Sequence, residues 1–344
     1  MLIIEPKPNH EKIESNQENW NVESTLIREI KNELDGYVIT SDIAPYAEFH
    51  AQYDHNNLYI ENRFNSFLDI IEKNNYPYQK IFNNHYIKWE EFENFYTTPI
   101  FFLNSVENFS QLDISQYNYT DQTNIFAAMY KPREARLIVS AWLSNSGITD
   151  FNYTQGWNLD PEYINKLSDL VRRHHENLTT LLPRNFIDCP LSDKKNNAYL
   201  FDNFFKPYFC SSTIAIVTEP VFFEKASLIT EKYLSAIYGC CFPIFCGGYN
   251  MANDIKEIGF DVFDDIIDHS YQTEPDPTTR VLDALNINSE ILYSKTLKKT
   301  DYMHRHKKNL ELVRQRKHEF YKQFAKNLEL IPKNETARTI LMNG

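Results

Sequence analysis

Glycine is scarce in this sequence, which has only 8 glycines in 344 residues. The scarcity argues against a glycine-rich β-helix or a collagen-like chain, since both need glycine at regular intervals. No apolar run is long enough for a transmembrane helix, and Glu5 interrupts the apolar N-terminus too early for a signal peptide. We therefore expect a soluble cytoplasmic protein without a membrane span.

Cysteine and positive charge are also in short supply. The five cysteines form no Cys-x-x-Cys pair, and their odd number predicts reduced thiols rather than a disulfide framework. The net charge of -12 argues against a surface coated in cations for non-specific nucleic-acid binding, although it leaves room for a local basic patch.

Aromatic residues, in contrast, are abundant, with 22 Tyr and 24 Phe. They supply material for a large core, and the chain length suggests two domains or one large domain. The segment 104–123 has few aliphatic residues and no regular period, so we interpret it as the connection between domains.

Strands and helices alternate after this connection, which predicts a parallel sheet with helices on its faces. Strands are expected over 124–130, 211–220 and 240–247, and helices over 131–147, 160–182, 230–238, 251–259, 278–286 and 303–328. Before the connection, strands are expected over 37–42, 56–64 and 99–103, and helices over 24–35, 66–74 and 88–96.

One candidate site lies where the strand 211–220 leads into the helix 230–238. The strand ends near Glu219, and Thr230 stands where the N-cap of the helix is expected. Helix starts favour anions such as a diphosphate, because their N–H groups are unpaired and the dipole is positive there. Lys232 adds a positive charge, and the Glu231 carboxylate suits ribose hydroxyls. The alternative is an ordinary capped helix with a solvated lysine.

A second candidate site follows the strand 124–130. Lys131, Arg133 and Arg136 crowd the first turn of the next helix, where cations oppose the dipole. Arg133 and Arg136 are three residues apart, so both can reach one side of the turn. This pattern indicates an anion site, and the alternative is a charged surface that serves solubility.

The stretch LITEKYLSAIYGCCFPIFCGG (228–248) resembles the nucleotide-sugar motif of the α1,3-fucosyltransferase family. That motif has a Thr-Glu-Lys helix start, an apolar helix and a Pro-containing strand ending in Gly, with a glutamate upstream that Glu219 matches. Residues 124–143 are similar to the strand and Arg-led helix that open the family's donor domain, with Arg136 in the phosphate-binding position. Residues 124–290 also resemble uncharacterised glycosyltransferase-like proteins of large tailed phages and marine viruses.

These resemblances imply an α/β protein of the GT-B class, in which two Rossmann-like domains face a cleft and a C-terminal helix crosses back. We expect an acceptor-side domain over 1–123, a nucleotide-sugar domain over 124–300 and a helical tail over 301–344. No metal or other cofactor is implied besides a GDP- or UDP-linked sugar as co-substrate. The expected donor-binding residues are Lys131, Arg133, Arg136, Glu219, Thr230, Glu231 and Lys232.

Inverting transfer needs a base near the acceptor hydroxyl. Asp42 is the best-placed candidate because it ends the strand 37–42, and strand ends point into the cleft. Glu61 and Glu48 are the other candidates, and the alternative for each is a turn or capping carboxylate. The Asp-rich segment 261–265 lies beyond the donor motif, so we expect it to be structural.

The acceptor stays open between two classes. A hydroxymethylated base of viral DNA is favoured by the basic segments 131–136 and 303–322 and opposed by the net charge of -12. A glycan or lipid-linked sugar is the other class, and a viral source would place the protein in the host cytoplasm. A nucleotide-binding or interaction protein that kept the fold without catalysis is the non-enzymatic hypothesis.

Overall fold

The chain divides into two compact units. One comprises Met1–Glu48, Asp54–Ser110 and Val313–Gly344, and the other comprises Phe49–Tyr53 and Gln111–Leu312. The computed structural model describes residues 3–4, 37–40, 80–83, 95–97, 100–129, 134–154, 186–187, 197–219 and 229–328. Both units contain a parallel sheet, so the predicted α/β class is confirmed.

The sheet of the first unit has four parallel strands in the order β1-β2-β3-β4. Its register pairs Ile3 with Val38 and Val38 with Ile81. The strands are β1 (Ile3–Ile4), β2 (Tyr37–Thr40), β3 (Lys80–Asn83) and β4 (Phe95–Thr97). The predicted strand 37–42 is therefore confirmed at β2.

Two predictions at the end of this unit are wrong. Phe95 and Tyr96, placed in the predicted helix 88–96, belong to β4, and the predicted strand 99–103 is the start of a helix, α1 (Ile100–Phe109). Phe102, Val106 and Phe109 are fully buried and recur at helical spacing. The helix extends to Phe109, so the interpretation of the segment 104–123 as a connection is wrong for its first six residues.

The sheet of the second unit has five parallel strands in the order β7-β6-β5-β8-β9. The strands are β5 (Thr123–Ala128), β6 (Phe151–Thr154), β7 (Phe186–Ile187), β8 (Ser212–Thr218) and β9 (Phe242–Cys246). Counted within this sheet the order is 3-2-1-4-5, a doubly wound Rossmann-like order that reverses direction between β5 and β8.

The helices of this part of the chain include a short irregular pair before β8. In this pair α3 (Asn197–Leu200) runs through a π-helical turn, Phe201–Phe205, into α4 (Lys206–Ser211), where Pro207 lacks the N–H of a regular helix. The other helices are α2 (Glu134–Asn145), α5 (Glu231–Tyr238), α6 (Met251–Ile258), α7 (Pro277–Ile287), α8 (Ser289–Tyr293) and α9 (Met303–Leu328).

Helices cover both faces of the second sheet. Buried residues of α2 and α7 pack against one face, which includes Ile125, Ile214 and Phe242. On the other face, the Phe126 ring lies 4.6 Å from Phe209 of α4, and the Phe245 ring lies 5.4 Å from Tyr233 of α5. Burial on both faces explains why β8 is buried at every position and apolar without alternation from Ile214 to Val217.

The predicted elements at β5, α2, β8, α5, β9, α6, α7 and α9 are all confirmed, while β6, β7 and the α3–α4 pair went unpredicted. The predicted elements over 24–35, 56–64, 66–74 and 160–182 lie outside the described residues. No helix in the described part of the chain is long and apolar enough to cross a bilayer.

Candidate functional site

The second sheet has its topological switch point between the adjacent strands β5 and β8. The connections that follow these two strands lie on opposite faces of the sheet. After β5 the chain enters α2 on one face, and before β9 it passes through α5 on the other. In open α/β sheets the crevice beyond the carboxyl ends of two such strands is the usual ligand-binding position. The candidate site is built on these two helix starts.

Glu219 connects the end of β8 to the start of α5. Its backbone N–H donates to the Cys246 carbonyl at 3.1 Å, which extends the pairing with β9. Its carboxylate accepts from the Thr230 N–H at 3.1 Å and from the Thr230 hydroxyl at 2.5 Å. Glu219 is fully buried, so it acts by fixing Thr230 rather than by presenting its own oxygens at the surface.

Thr230 is the predicted N-cap of α5. Its hydroxyl accepts from the Lys232 backbone N–H at 3.4 Å and from the Lys232 ammonium at 3.1 Å, while donating to Glu219. One donor and two acceptor positions are the whole capacity of a hydroxyl, so Thr230 is saturated. Thr230 therefore orients both the helix start and the lysine.

Lys232 is held by two carboxylates as well. Its ammonium donates to Glu231 Oε1 at 2.9 Å and lies 3.6 Å from Glu219 Oε2. These anions compensate for the unfavourable position of a cation at the positive end of a helix dipole. The side chain is 16% exposed, so the ammonium lies close to the surface of the crevice.

The environment moves the pKa values of the two glutamates in opposite directions. Burial raises the pKa of Glu219, and the nearby Lys232 opposes only part of that shift. Burial acts in the same sense on Glu231, but the Lys232 charge and hydrogen bond, aided by Arg136, leave the pKa of Glu231 below its usual value. Glu231 is therefore the carboxylate that stays ionised most readily.

Arg136 brings the start of α2 to the same crevice. The side chain is buried, and its Nε donates to the Thr218 hydroxyl at 3.3 Å, at the end of β8. The Thr218 hydroxyl donates in turn to the Ala128 carbonyl at 3.4 Å, at the end of β5. Arg136 therefore lies at the switch point and acts electrostatically on Glu231, although the two residues come from distant segments of the chain.

One oxygen of this cluster lacks a partner. Glu231 Oε2 is buried and accepts no hydrogen bond from the described residues, whereas Oε1 accepts from Lys232. Buried carboxylate oxygens are normally hydrogen-bonded. The unpaired oxygen is therefore suited to accept a hydrogen bond from a ligand hydroxyl group.

Sequence reasoning missed Gly247 and Arg280, which shape the end of β9. A Cβ added at Gly247 would lie 2.9 Å from Met251 Sδ and 3.2 Å from Glu219 Cβ, so this glycine lets the loop pack on Glu219. The buried Arg280 donates to the Gly247 carbonyl at 3.3 Å and to the Glu274 carbonyl at 2.6 Å. Burial lowers the pKa of Arg280 to about 10. The signal available in the sequence was the position of Arg280, one helical turn before Ala284 on an otherwise apolar face of α7.

The remaining predicted residues fall into two groups. Lys131, Arg133, Asp42, Glu48 and Glu61 lie outside the described residues. The Asp-rich segment is structural as predicted, because Asp261 and Asp265 each receive two hydrogen bonds from the Arg305 guanidinium of α9.

In comparisons with known proteins, no family model, curated protein or solved structure matches the chain.

Proposed function

We propose that this protein is a glycosyltransferase of the GT-B class that moves a sugar from a GDP- or UDP-linked donor to an acceptor hydroxyl with inversion. One observation carries the proposal. Arg136, Lys232 and the unpaired Glu231 Oε2 converge at the switch point of a doubly wound sheet. Cations and a hydroxyl-accepting carboxylate are the groups that a nucleoside diphosphate requires.

The reaction assigns a role to each of these groups. The acceptor oxygen attacks the sugar's anomeric carbon, the bond from that carbon to the diphosphate breaks, and the electron pair leaves with the phosphate. Arg136 and Lys232 stabilise the charge that builds on this leaving group without a metal ion. Glu231 Oε2 accepts from a ribose hydroxyl, while Glu219 and Thr230 position Lys232.

The acceptor proton must pass to a base, and Asp42 and Glu61 are the proposed candidates. Among acceptors, we retain the two classes named above, a hydroxymethylated base of viral DNA and a glycan or lipid-linked sugar. To distinguish the acceptor classes, the protein is incubated with labelled GDP- and UDP-sugars and either hydroxymethylcytosine DNA or neutral glycans. The product that carries the label identifies the acceptor.

A binding protein without catalysis is the second candidate function. The observation in its favour is the engagement of Lys232 by Thr230, Glu231 and Glu219, which is compatible with a purely structural ion pair. Such a protein would gain thermal stability from sugar nucleotides without cleaving them.

Lys232→Ala tests the site, and Lys256→Ala is its matched control. Lys256 also pairs with a carboxylate, Asp264, but lies on the exposed side of α6 and is 46% exposed. We expect Lys232→Ala to lower the rate of sugar transfer or donor hydrolysis about 100-fold, because it removes a group that stabilises developing charge. Lys256→Ala should leave that rate unchanged. Equal activity of the two variants would refute the site, and a melting temperature that no GDP- or UDP-sugar raises would refute the donor.

A further inference from the structure

A cavity of about 530 Å³ opens between the end of α2 and the helices α7 and α8. Its volume lies within the range of roughly 300–1,000 Å³ that is common for ligand pockets. Trp142 and Asn145 of α2 line it, together with Asn286, Ser289 and Tyr293. The described residues that line the cavity include none of those of the candidate donor site, so the two places are distinct.

Two aromatic rings are fixed at this cavity by their own polar atoms. The Trp142 indole N–H donates to Asn286 Oδ1 at 2.9 Å, and the Tyr293 hydroxyl donates to the Ser146 carbonyl at 2.7 Å. The ring centroids are 6.4 Å apart with an interplanar angle of 60°. Tyr293 is 55% exposed, so a large aromatic surface is held in place beside the cavity. Rings fixed in this way lose little freedom when a ligand packs on them.

The same hydrogen bonds leave polar atoms available around the rings. The Asn286 oxygen accepts from Trp142, and its amide N–H groups donate to none of the described residues. The Asn145 amide nitrogen donates to the Ala141 carbonyl at 2.8 Å, and its Oδ1 accepts from none of the residues that the structure describes. The Ser289 hydroxyl makes no hydrogen bond with the described residues. The cavity therefore offers donors and acceptors beside an apolar aromatic surface.

The described lining of the cavity carries no charge. None of the nine described residues that line it is charged, although charged residues make up 24% of the sequence. An uncharged cavity gives no compensation for desolvating an ionised ligand, so it selects against phosphates, carboxylates and nucleic acid. It favours a neutral ligand with an apolar face and many hydroxyl groups.

We propose that this cavity binds a neutral oligosaccharide. A sugar ring presents an apolar C–H face, which can pack on Tyr293 and Trp142, and its hydroxyls both donate and accept at the amide and hydroxyl groups. The proposal rests on the cavity alone and holds whether or not the switch point binds a sugar nucleotide.

Titration calorimetry of the full chain tests the proposal, with maltotriose, cellotriose and chitotriose as neutral probes and trigalacturonate as the charged comparison. We expect at least one neutral trisaccharide to bind, and both Tyr293→Ala and Asn286→Leu to weaken that binding about tenfold or more. Tyr293→Phe keeps the ring and should bind within about threefold of the wild type. Tyr199→Ala, which removes another exposed tyrosine, and Lys232→Ala should bind like the wild type.

Four results would overturn the proposal. They are no binding of any neutral trisaccharide, unchanged binding by Tyr293→Ala, equally tight binding of trigalacturonate, and a wild-type dimer that Tyr293→Ala converts to monomers in sedimentation. The last result would identify the cavity as an interface between two copies of the chain. Thermal unfolding of each variant establishes that a loss of binding does not come from a loss of folding.

Discussion

Lys232 lies in the first turn of α5, where the helix dipole disfavours a cation, and its contacts explain how the position is tolerated. The Thr230 hydroxyl and the Glu231 carboxylate accept from its ammonium, and Glu219 adds a buried anion 3.6 Å away. The three neighbours fix the lysine beside Arg136 and the unpaired Glu231 oxygen. A few residues at the end of β8 and the start of α5 thereby form most of the candidate site.

Thr230→Val tests how strongly this arrangement depends on one hydroxyl. The substitution keeps the shape of the side chain but removes the N-cap acceptor and the donor to the buried Glu219 carboxylate. We expect it to lower the free energy of unfolding by about 2 kcal/mol, measured by urea denaturation.

Thr230→Ser provides the control for this measurement, because it retains the hydroxyl and loses only a methyl group. The serine variant should unfold at a urea concentration much closer to that of the wild type. If the valine and serine variants unfolded at the same urea concentration, the hydroxyl would not be holding the helix start.

At the scale of elements, the C-terminal end of α5 is fixed by a close approach of the backbone to α4. Its C-cap, Gly239, lies against α4, where an added Cβ would be 2.5 Å from Phe209 Cβ and 3.0 Å from the Phe209 carbonyl carbon. The buried Lys299 ammonium donates to the Phe209 and Gly239 carbonyls at 2.9 and 2.8 Å. These carbonyls belong to helix C-terminal regions, where a cation is favourable.

Gly239→Ala should therefore destabilise the protein more than Gly247→Ala. At Gly239 the neighbouring atoms belong to the backbone and Cβ of Phe209, which cannot move without displacing α4. At Gly247 the closest atom is the sulfur of the flexible Met251 side chain. We expect Gly239→Ala to lower the free energy of unfolding by about 3 kcal/mol and Gly247→Ala by about 1 kcal/mol. The Gly239→Ala variant should therefore have the lower melting temperature. The reverse order would contradict the packing described for α4 and α5.

Local periodicity predicted β5, β8 and β9 of the second sheet and the helices that follow them, but it failed around residue 100. The runs at β8 and α5 carry unambiguous signals, because a β-branched strand is followed by Thr230 as a cap. The segment 99–103 is apolar throughout, and only its continuation to Phe109 distinguishes a helix from a strand. The strands β6 and β7 have four and two residues, which are too few to give a periodic signal.

At the scale of the whole molecule, buried histidine should make folding sensitive to mild acid. His306 of α9 is 2% exposed and packs against the rings of Phe242 and Phe263, with centroids 5.0 and 4.6 Å away. Burial lowers its pKa to about 3, and Lys299 and Arg305 add to this effect, while Asp261 and Asp121 oppose it. The unfolded chain should protonate His306 near its ordinary pKa of about 6.5.

Because the pKa of His306 is lower in the folded state, protons bind preferentially to the unfolded chain. The contribution of His306 to stability is therefore complete above pH 6.5 or so and falls by up to about 1.4 kcal/mol per pH unit toward pH 3. Urea denaturation between pH 7.5 and about pH 5.5, which lies above the ordinary pKa values of Asp and Glu, measures the slope, and the raised pKa of Glu219 affects all variants alike. His306→Phe should flatten it.

His304→Phe is the matched control for that slope, since His304 lies two residues earlier on the exposed side of α9. It should keep the wild-type dependence on pH. Burial also lowers the pKa of His269, which adds a slope of the same sign to all three proteins. A His306→Phe variant with the full wild-type slope would show that His306 is not the group responsible.

The sequence by itself determined the alternation of strands and helices in the second unit, because burial on a sheet or helix face imposes a period that adjacent residues reveal. It also identified Thr230 as a cap and Lys232 as an anomalous cation, because both are properties of a single helix start. Only the tertiary structure decided that Arg136 lies near Glu231, that Glu219 is a buried support, and that Arg280 holds Gly247. Those facts depend on the strand order 3-2-1-4-5, which brings β5 beside β8 and so joins segments about 90 residues apart. Local periodicity contains no information about such pairing.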